Sequence, residues 1–279
     1  NRRLTRPGAT VALVHHIQSD DGRGRLRRLR RWIERRYLDS VDGWVATSEF
    51  TRQRARGVAP APVESVVAPP AGRAGGRAVT EERVRARAAD EPLRILYLGN
   101  IVARKGLLTL LSALCSSVDD SSWQLTVVGS PEPEPAYAEK ARKRVAERGL
   151  DDRVDFVGKL SDDEVAARLE ASHALCVPSR YEGFGMVYLE AMEYGVVPIA
   201  TTNGGASEFI RDNKNGALVD PGDADRIAAL LAEWAGDRQQ LADLGVAALR
   251  TAAAHPSWDD TLADVRSLLV RLAESSTTN

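Results

Sequence analysis

From residue 93 onward the chain repeats one pattern. A short, largely apolar run, ending in Gly or Pro in four of five cases, is followed by a longer segment with helical spacing. The runs are residues 93–99 (LRILYLG), 123–129 (WQLTVVG), 154–158 (VDFVG), 173–178 (HALCVP) and 196–201 (VVPIAT), with a short sixth at 216–219. Residues 105–118, 137–148, 161–170, 186–194 and 223–235 read as the intervening helices. Ser161 with Glu164 three residues later predicts a capping box. Apolar runs that do not alternate belong to strands buried on both faces, and strand–helix alternation makes such a sheet parallel. The predicted fold class is therefore α/β. Ligands of these sheets bind outside the carboxyl ends of the strands. That directs attention to residues 99–105, 129–132, 158–161, 178–185 and 201–205.

Residues 1–70 read as part of a second α/β unit. Strands are expected at 10–14 (TVALV), 43–47 (GWVAT) and 65–68, with an Arg-rich helix over 26–38. These are too few strands for a complete domain, so the chain is expected to be a fragment or to be completed by a partner. Residues 71–92, rich in Gly, Ala, Arg and Glu, read as an exposed linker with room for a helix at 80–89. Residues 93–258 form the second domain, and residues 259–279 a final helix.

The formal charge of −1 hides an asymmetry. Residues 1–90 hold 19 Arg and no Lys against 10 carboxylates, a charge of +9; the rest carries −10. The basic part suits an anionic substrate, lipid headgroups or the acidic domain. The acidic part has no basic, aromatic-interleaved patch, so nucleic acid is not an expected partner. Hydrophobic residues at 43% and charged residues at 28% exclude a chain disordered throughout. No run approaches the ~20 apolar residues of a membrane-spanning helix. No signal peptide is visible, and Cys115 and Cys176 lack metal or disulfide-framework spacing; a cytoplasmic protein with two reduced thiols is expected. The Asp223-Ala224-Asp225 triplet follows Pro221-Gly222 at a helix start, where an N-cap accounts for it, so no metal is expected. Neither GxxxxGK[ST] nor GxGxxG occurs, which removes the main support for ATPase and dehydrogenase readings.

The most informative segment is residues 178–191, PSRYEGFGMVYLEA. A strand ends, a tight loop carries Glu182, Gly183, Phe184 and Gly185, and a helix begins. The glycines let backbone approach a ligand, and the helix start offers free N–H groups and a positive dipole end. Glu182 and Glu190 can accept hydrogen bonds from hydroxyls, which suits a sugar and a ribose. Either Glu alone reads equally as a solvated helix carboxylate.

The Glu-x7-Glu pair in EGFGMVYLEAM, with ALCVPS before it and GVVPIATTNGGASEFI after it, resembles the donor-binding domain of the retaining glycosyltransferases of family 4. YLGNIVARKGLLTLLSAL and NGALVDPGD extend the resemblance over about residues 93–235. LVHHI, VATSEFT and VVAPPAG resemble the closing part of that family's acceptor domain, and SWDDTLADVRSLL its final helices, which cross back to the first domain. The resemblance implies a GT-B fold, with two Rossmann-like parallel-sheet domains of which the first is incomplete here. It implies a sugar donor that is a nucleotide-diphosphate sugar and an acceptor that is a glycan or lipid-linked hydroxyl, with no cofactor. Arg104 and Lys105, with Gly99 and Asn100, are then expected at the donor diphosphate. Two cations there would stabilise the departing charge. Glu190 is expected at the ribose, and Glu182, Gly183, Phe184 and Gly185 at the transferred sugar. Lys159 and Leu160 fall where the family places the nucleobase. His15, or next to it His16, falls where the family has a strand-end His near the donor sugar; a pair of structural imidazoles is the other reading. His173 and His255 are assigned structural roles.

Two departures stand out. Asn100 replaces the Arg that many members have after the strand-end Gly. The Gly-rich loop near the start of the first domain, and with it most of the acceptor site, is not in the sequence given. Catalysis by the chain as given is thus in question, and a non-catalytic subunit, a phosphorylase or a sugar-nucleotide epimerase remain alternatives. Between Arg23 and Arg36 there are eight Arg in 14 residues, with Leu26, Leu29, Ile33 and Tyr37 near helical spacing. Such a helix can expose cations to an anionic membrane surface, placing the protein on the inner membrane face. It reads equally as a solvated face or one docked on the acidic domain.

Overall fold

The computed structural model describes residues 8–20, 25–60, 64–72, 79–116 and 123–277. In chain order the elements are β1 (Val11–Val14), α1 (Arg25–Leu38), β2 (Gly43–Ala46), α2 (Glu49–Val58), β3 (Glu64–Val67), α3 (Glu81–Ala88), β4 (Leu93–Leu98), α4 (Leu107–Ser116), β5 (Trp123–Val128) and α5 (Pro135–Glu147). There follow β6 (Val154–Gly158), α6 (Asp162–Ala171), β7 (Ala174–Cys176), α7 (Met186–Glu193), β8 (Val197–Thr201), β9 (Ala217–Val219), α8 (Ala224–Gly236), α9 (Arg238–Ala253) and α10 (Trp258–Thr277). The chain forms two compact units: residues 1–71, 182–185 and 255–279 make the first, and residues 72–181 and 186–254 the second.

The second unit is built on a six-stranded sheet in the order β6-β5-β4-β7-β8-β9, with every pairing parallel. Leu93, Ile95, Leu96 and Tyr97 of β4 are all buried, on both faces, as the largely apolar run requires. Helices cover the sheet with regular stripes. Leu107, Leu110, Leu111 and Leu114 of α4 recur at three- and four-residue spacing and are buried, as are Ile227, Leu230, Leu231 and Trp234 of α8, the helix α4 packs against. At ~25 cal/mol per Å², each such Leu contributes roughly 1.5–3 kcal/mol. The capping box at Ser161 and Glu164 is formed, and Asp223 caps α8 through the Arg226 N–H.

The first unit contains a three-stranded parallel sheet, β1-β2-β3. One face buries Ala12, Val14 and Trp44 with Leu38 of α1 and Ala55 and Val58 of α2. The other buries Val45 and Ala68 against Leu268 and Leu272 of α10, with Val11 and Val66 at the margin. Alternate residues of β1 and β2 thus serve opposite cores. Gly43 lies beneath α10, where a Cβ would meet the tip of the Leu272 side chain at 2.6 Å and force it to shift.

Three elements differ from the sequence reading. The helix given room at 80–89 forms as α3, capped by Thr80, but it is docked rather than exposed, with Val84 and Ala88 buried where α3 packs on α9. A composition of Arg, Glu and Ala looked solvated because only two of eight positions face inward. Helices α2 and α9 had not been predicted. Arg, Gly and Gln dilute the first, and α9 buries small residues such as Ala242, Gly245 and Ala248 rather than a strong apolar stripe.

His173, assigned a structural role, precedes β7. Its Nδ1 accepts the Arg94 N–H (2.9 Å), which leaves the ring proton on Nε2, donated to the Arg87 carbonyl (2.7 Å). Burial pushes the imidazole down to about 4, with nearby guanidinium groups adding to the effect. The unfolded chain therefore binds a proton between about pH 6.5 and 4 that the folded chain rejects. Stability from this site is complete above pH 6.5 and is lost as pH falls toward 4, by up to about 3 kcal/mol. Thermal melts across this range should show Tm falling with pH, and a shallower fall in His173→Gln.

Candidate active site

In the second unit, strand order reverses at β4. The chain runs outward through β5 and β6, then returns to β7 on the other side of β4. The crevice at such a switch point is where open parallel sheets bind ligands. Two loops end there: residues 99–106 after β4 and residues 177–181 after β7. They are bonded to each other. The Arg180 N–H donates to the Arg104 carbonyl (2.7 Å), and the Arg104 guanidinium donates to the Tyr181 carbonyl (2.8 Å). The loop after β8 joins them, since the Asn203 amide donates to the Arg180 carbonyl (2.6 Å) and the Thr201 hydroxyl to that of Ser179 (2.6 Å).

Arg104 and Lys105 occupy a 3-10 turn, not the first turn of α4, which starts at Leu107. Lys105, read from the sequence as the first residue of a helix over 105–118, therefore lies ahead of α4. Gly106 separates the two at φ 73°, and a Cβ there would collide with the Pro178 carbonyl oxygen. No other residue lets the two loops approach so closely without strain. The Lys105 side chain folds over Gly99, where an added Cβ would lie 3.1 Å from Nζ. Lys105, Gly99, Asn100 and Arg104 are thus brought to one strand end, with Asn100 held by the Tyr97 hydroxyl through its carbonyl (3.2 Å).

Two supports of this loop had no local signature. The Glu134 carboxylate accepts the Ala103 N–H (3.0 Å), and the Tyr137 hydroxyl accepts the Leu108 N–H (3.0 Å). Both partners lie about thirty residues away in sequence. Glu190 is half-buried on α7, and α7 is fastened to the end of β7 by the Tyr188 hydroxyl, which donates to the Val177 carbonyl (2.6 Å). Lys159 and Leu160 follow β6, two strands from β4; Lys159 is exposed and Leu160 half-buried.

Glu182, Gly183, Phe184 and Gly185 group with the first unit, although Tyr181 and Met186 belong to the second. The Gly183 carbonyl accepts two hydroxyls of the α2 N-terminus, Ser48 Oγ (2.6 Å) and Thr51 Oγ1 (3.0 Å), all buried. Ser48 also caps α2 through the Thr51 N–H (3.0 Å). A Cβ on Gly183 would collide with the His15 carbonyl oxygen. The structure thus sets the loop against the end of β1, with His15 exposed and His16 half-buried. Phe184 is buried and meets the His255 ring at 5.7 Å. His255 hydrogen-bonds the Pro70 carbonyl (3.1 Å), and burial lowers its pKa. His255 was read as structural; it supports a residue of the candidate loop, which its sequence position could not reveal. Among the described residues no group of three or more His, Cys, Asp or Glu could hold a metal ion.

These features define an α/β protein whose cationic and glycine-bearing loops gather at the ends of parallel strands. Residues 79–250 match the glycosyl transferases group 1 family, and the chain belongs to it. It is 33% identical over 255 residues to a GDP-mannose-dependent alpha-(1-6)-phosphatidylinositol monomannoside mannosyltransferase of Mycobacterium tuberculosis, covering 86% of this chain and 64% of that protein. It is 32% identical over 189 residues to the MMP alpha-(1->4)-mannosyltransferase of Mycolicibacterium hassiacum, covering 66% of this chain and 42% of that one. The chain thus spans no more than about two thirds of these relatives. The structure of sucrose-phosphate synthase from Thermosynechococcus elongatus superposes with a TM-score of 0.81 at 27% identity, covering 95% of this chain and 68% of that one. The fold is of the GT-B type.

Glycine in the candidate loop is a steric requirement, and this is testable within one unit. Gly183→Ala should destabilise the chain by about 1–3 kcal/mol, because the methyl must displace the His15 backbone. Gly57, inside α2 with open space at its Cβ position, is the control; Gly57→Ala should stabilise by roughly 0.5–1 kcal/mol. Chemical denaturation of both variants reads the two signs.

Proposed function

We propose that the chain serves a glycosyltransferase that moves a sugar from a nucleotide-diphosphate sugar to an acceptor hydroxyl, with retention at the anomeric carbon. The observation that carries the reading is the pair of cations, Arg104 and Lys105, held on a bonded loop at the switch point of a parallel sheet. A leaving nucleoside diphosphate gains negative charge as the glycosidic bond breaks. Cations fixed there before the reaction stabilise that charge without reorganising. Arg104 is held by the Tyr181 carbonyl, and Lys105 by its fold over Gly99.

Glu190 takes the ribose hydroxyls, Lys159 and Leu160 lie toward the base, and Glu182 with the backbone of Gly183, Phe184 and Gly185 orients the sugar. His15, whose carbonyl abuts Gly183, is the first candidate to face that sugar, and His16 the second. The acceptor hydroxyl attacks on the face the diphosphate leaves and passes its proton to the departing phosphate oxygen. This needs no protein nucleophile, metal or cofactor. Mannose carried by GDP is the first donor to test, because the relative matched over 86% of this chain uses it by name. That relative's acceptor, by name, is a phosphatidylinositol monomannoside, which makes a glycolipid the acceptor class to test here.

Calorimetry with GDP, UDP, ADP and their sugar conjugates tests the assignment. Lys105→Ala and Glu190→Ala should each weaken binding of the preferred nucleotide at least about tenfold, or ~1.4 kcal/mol. Glu182→Ala should leave the free nucleoside diphosphate unaffected and weaken only the sugar conjugate. Affinities unchanged in both of the first two variants would reject the site.

A further inference from the structure

We propose that α1 is a membrane-contacting helix that seats on an anionic lipid surface. The inference rests on the first unit alone and is independent of the donor site.

The inward side of α1 is defined by its bonds. The Glu34 carboxylate accepts the N–H groups of Gln18 (2.6 Å) and Ser19 (3.2 Å). Arg27 donates to the Ser19 carbonyl (3.2 Å), Arg31 donates to that of Gly57 (2.6 Å), and Leu38 is buried. Positions 27, 31, 34 and 38 form one stripe of an α-helix, so its rotation about its own axis is fixed. The opposite side then carries Leu29, Trp32, Ile33 and Tyr37, each 52–56% exposed. Four large apolar side chains at three- and four-residue spacing facing outward are not ordinary surface scatter.

The charges follow the same geometry. Arg28 and Arg35 border the apolar stripe on one side and Arg30 on the other, all three exposed, with Arg35 paired to Asp39 just past the helix end (3.4 Å). Arg36 lies within the stripe, stacked over the Trp32 ring at 5.1 Å, a position from which its long stem can carry the charge to a headgroup. On this outward half, residues 28–30, 32, 33 and 35–37 are all Arg or apolar; the helix's one carboxylate, Glu34, is turned inward. Arg, Trp and Tyr are also enriched at protein interfaces; what favours lipid here is that no carboxylate of the helix lies among the outward cations. An apolar stripe with cations on both borders matches a plane of acyl chains surrounded by phosphates. Trp and Tyr favour that boundary, and guanidinium groups bind phosphate in two-point fashion. The surrounding sequence of the first unit adds to the attraction, since residues 1–71 hold 14 Arg against 7 carboxylates, a charge of +7.

Co-sedimentation of the chain with vesicles of phosphatidylcholine and phosphatidylglycerol, against pure phosphatidylcholine, is the test. Binding should be confined to the anionic vesicles and fall steeply with added salt. Arg28→Gln and Arg30→Gln should each weaken it up to about fivefold. Trp32→Ala should weaken it about tenfold, roughly the partition of one such side chain. These residues are exposed, so nucleotide affinity and Tm should be unchanged. In a Trp258→Phe background Trp32 is the one exposed indole among the described tryptophans, and its emission should shift to the blue only with anionic vesicles. Failure to bind anionic vesicles would overturn the proposal. So would binding that survives both the Arg and Trp changes. A dimer that forms without lipid and is lost in Trp32→Ala would assign the face to a second copy instead.

Discussion

The close approach of two backbones at Gly106 and Pro178 is the constraint on which the candidate site depends. Two loops from neighbouring parallel strands can be bonded side by side only if no side chain stands between them. At Gly106 a methyl group would collide with the Pro178 carbonyl, and the backbone also sits at positive φ. Given that contact, Arg180 reaches the Arg104 carbonyl and Arg104 reaches Tyr181. Arg104 is then oriented by a neutral carbonyl acceptor, a bond that leaves the guanidinium charged.

The loop of residues 182–185 obeys a different logic. Its sequence reads as one block with the helix that follows, because strand end, glycine turn and helix start are contiguous. Physically it is secured by Ser48 and Thr51, more than 130 residues away. Two hydroxyls saturate the Gly183 carbonyl in a buried place, where leaving that oxygen unbonded would cost about 1–3 kcal/mol. Ser48 serves twice, as the cap of α2 and as a donor to this loop. That explains a Ser rather than an Asp at the cap, since a carboxylate could not donate to a carbonyl.

How much of this was legible follows from the range of each interaction. Strands β7 and β8 were readable because burial on both faces demands unbroken apolar runs; β4, β5 and β6 carry Arg94, Gln124 and Asp155 and were readable from their remaining apolar residues and the Gly at the end of each run. Local caps such as Ser161 with Glu164 were readable because both partners sit within one turn. The candidate cations and glycines were legible as residue types at strand ends. Their supports were not: Glu134, Tyr137 and His255 act on partners far off in sequence, and no local pattern marks them. The docking of α3 was not legible because its fully buried apolar stripe is Val84 and Ala88, too thin to stand out among arginines.

The same helix revises the charge asymmetry. A boundary drawn at residue 90 counts the arginines of α3 with the basic segment, yet they belong to the acidic second unit. Arg83 pairs with Glu170 and Arg85 with Asp243, both toward the surface, where such pairs contribute little. Arg87 is different: it is buried, donates to the carbonyls of Glu170, Tyr194 and Gly195, and is pushed down to about 10 chiefly by burial. Its cost is offset by satisfying carbonyls at the ends of α6 and α7 that would otherwise be orphaned. Part of the apparent basic excess is therefore structural, consumed in closing helix ends of the second unit. The arginines on the outward half of α1 are not used in this way. Arg28, Arg30 and Arg36 of the first unit thus lie in or beside an exposed apolar stripe.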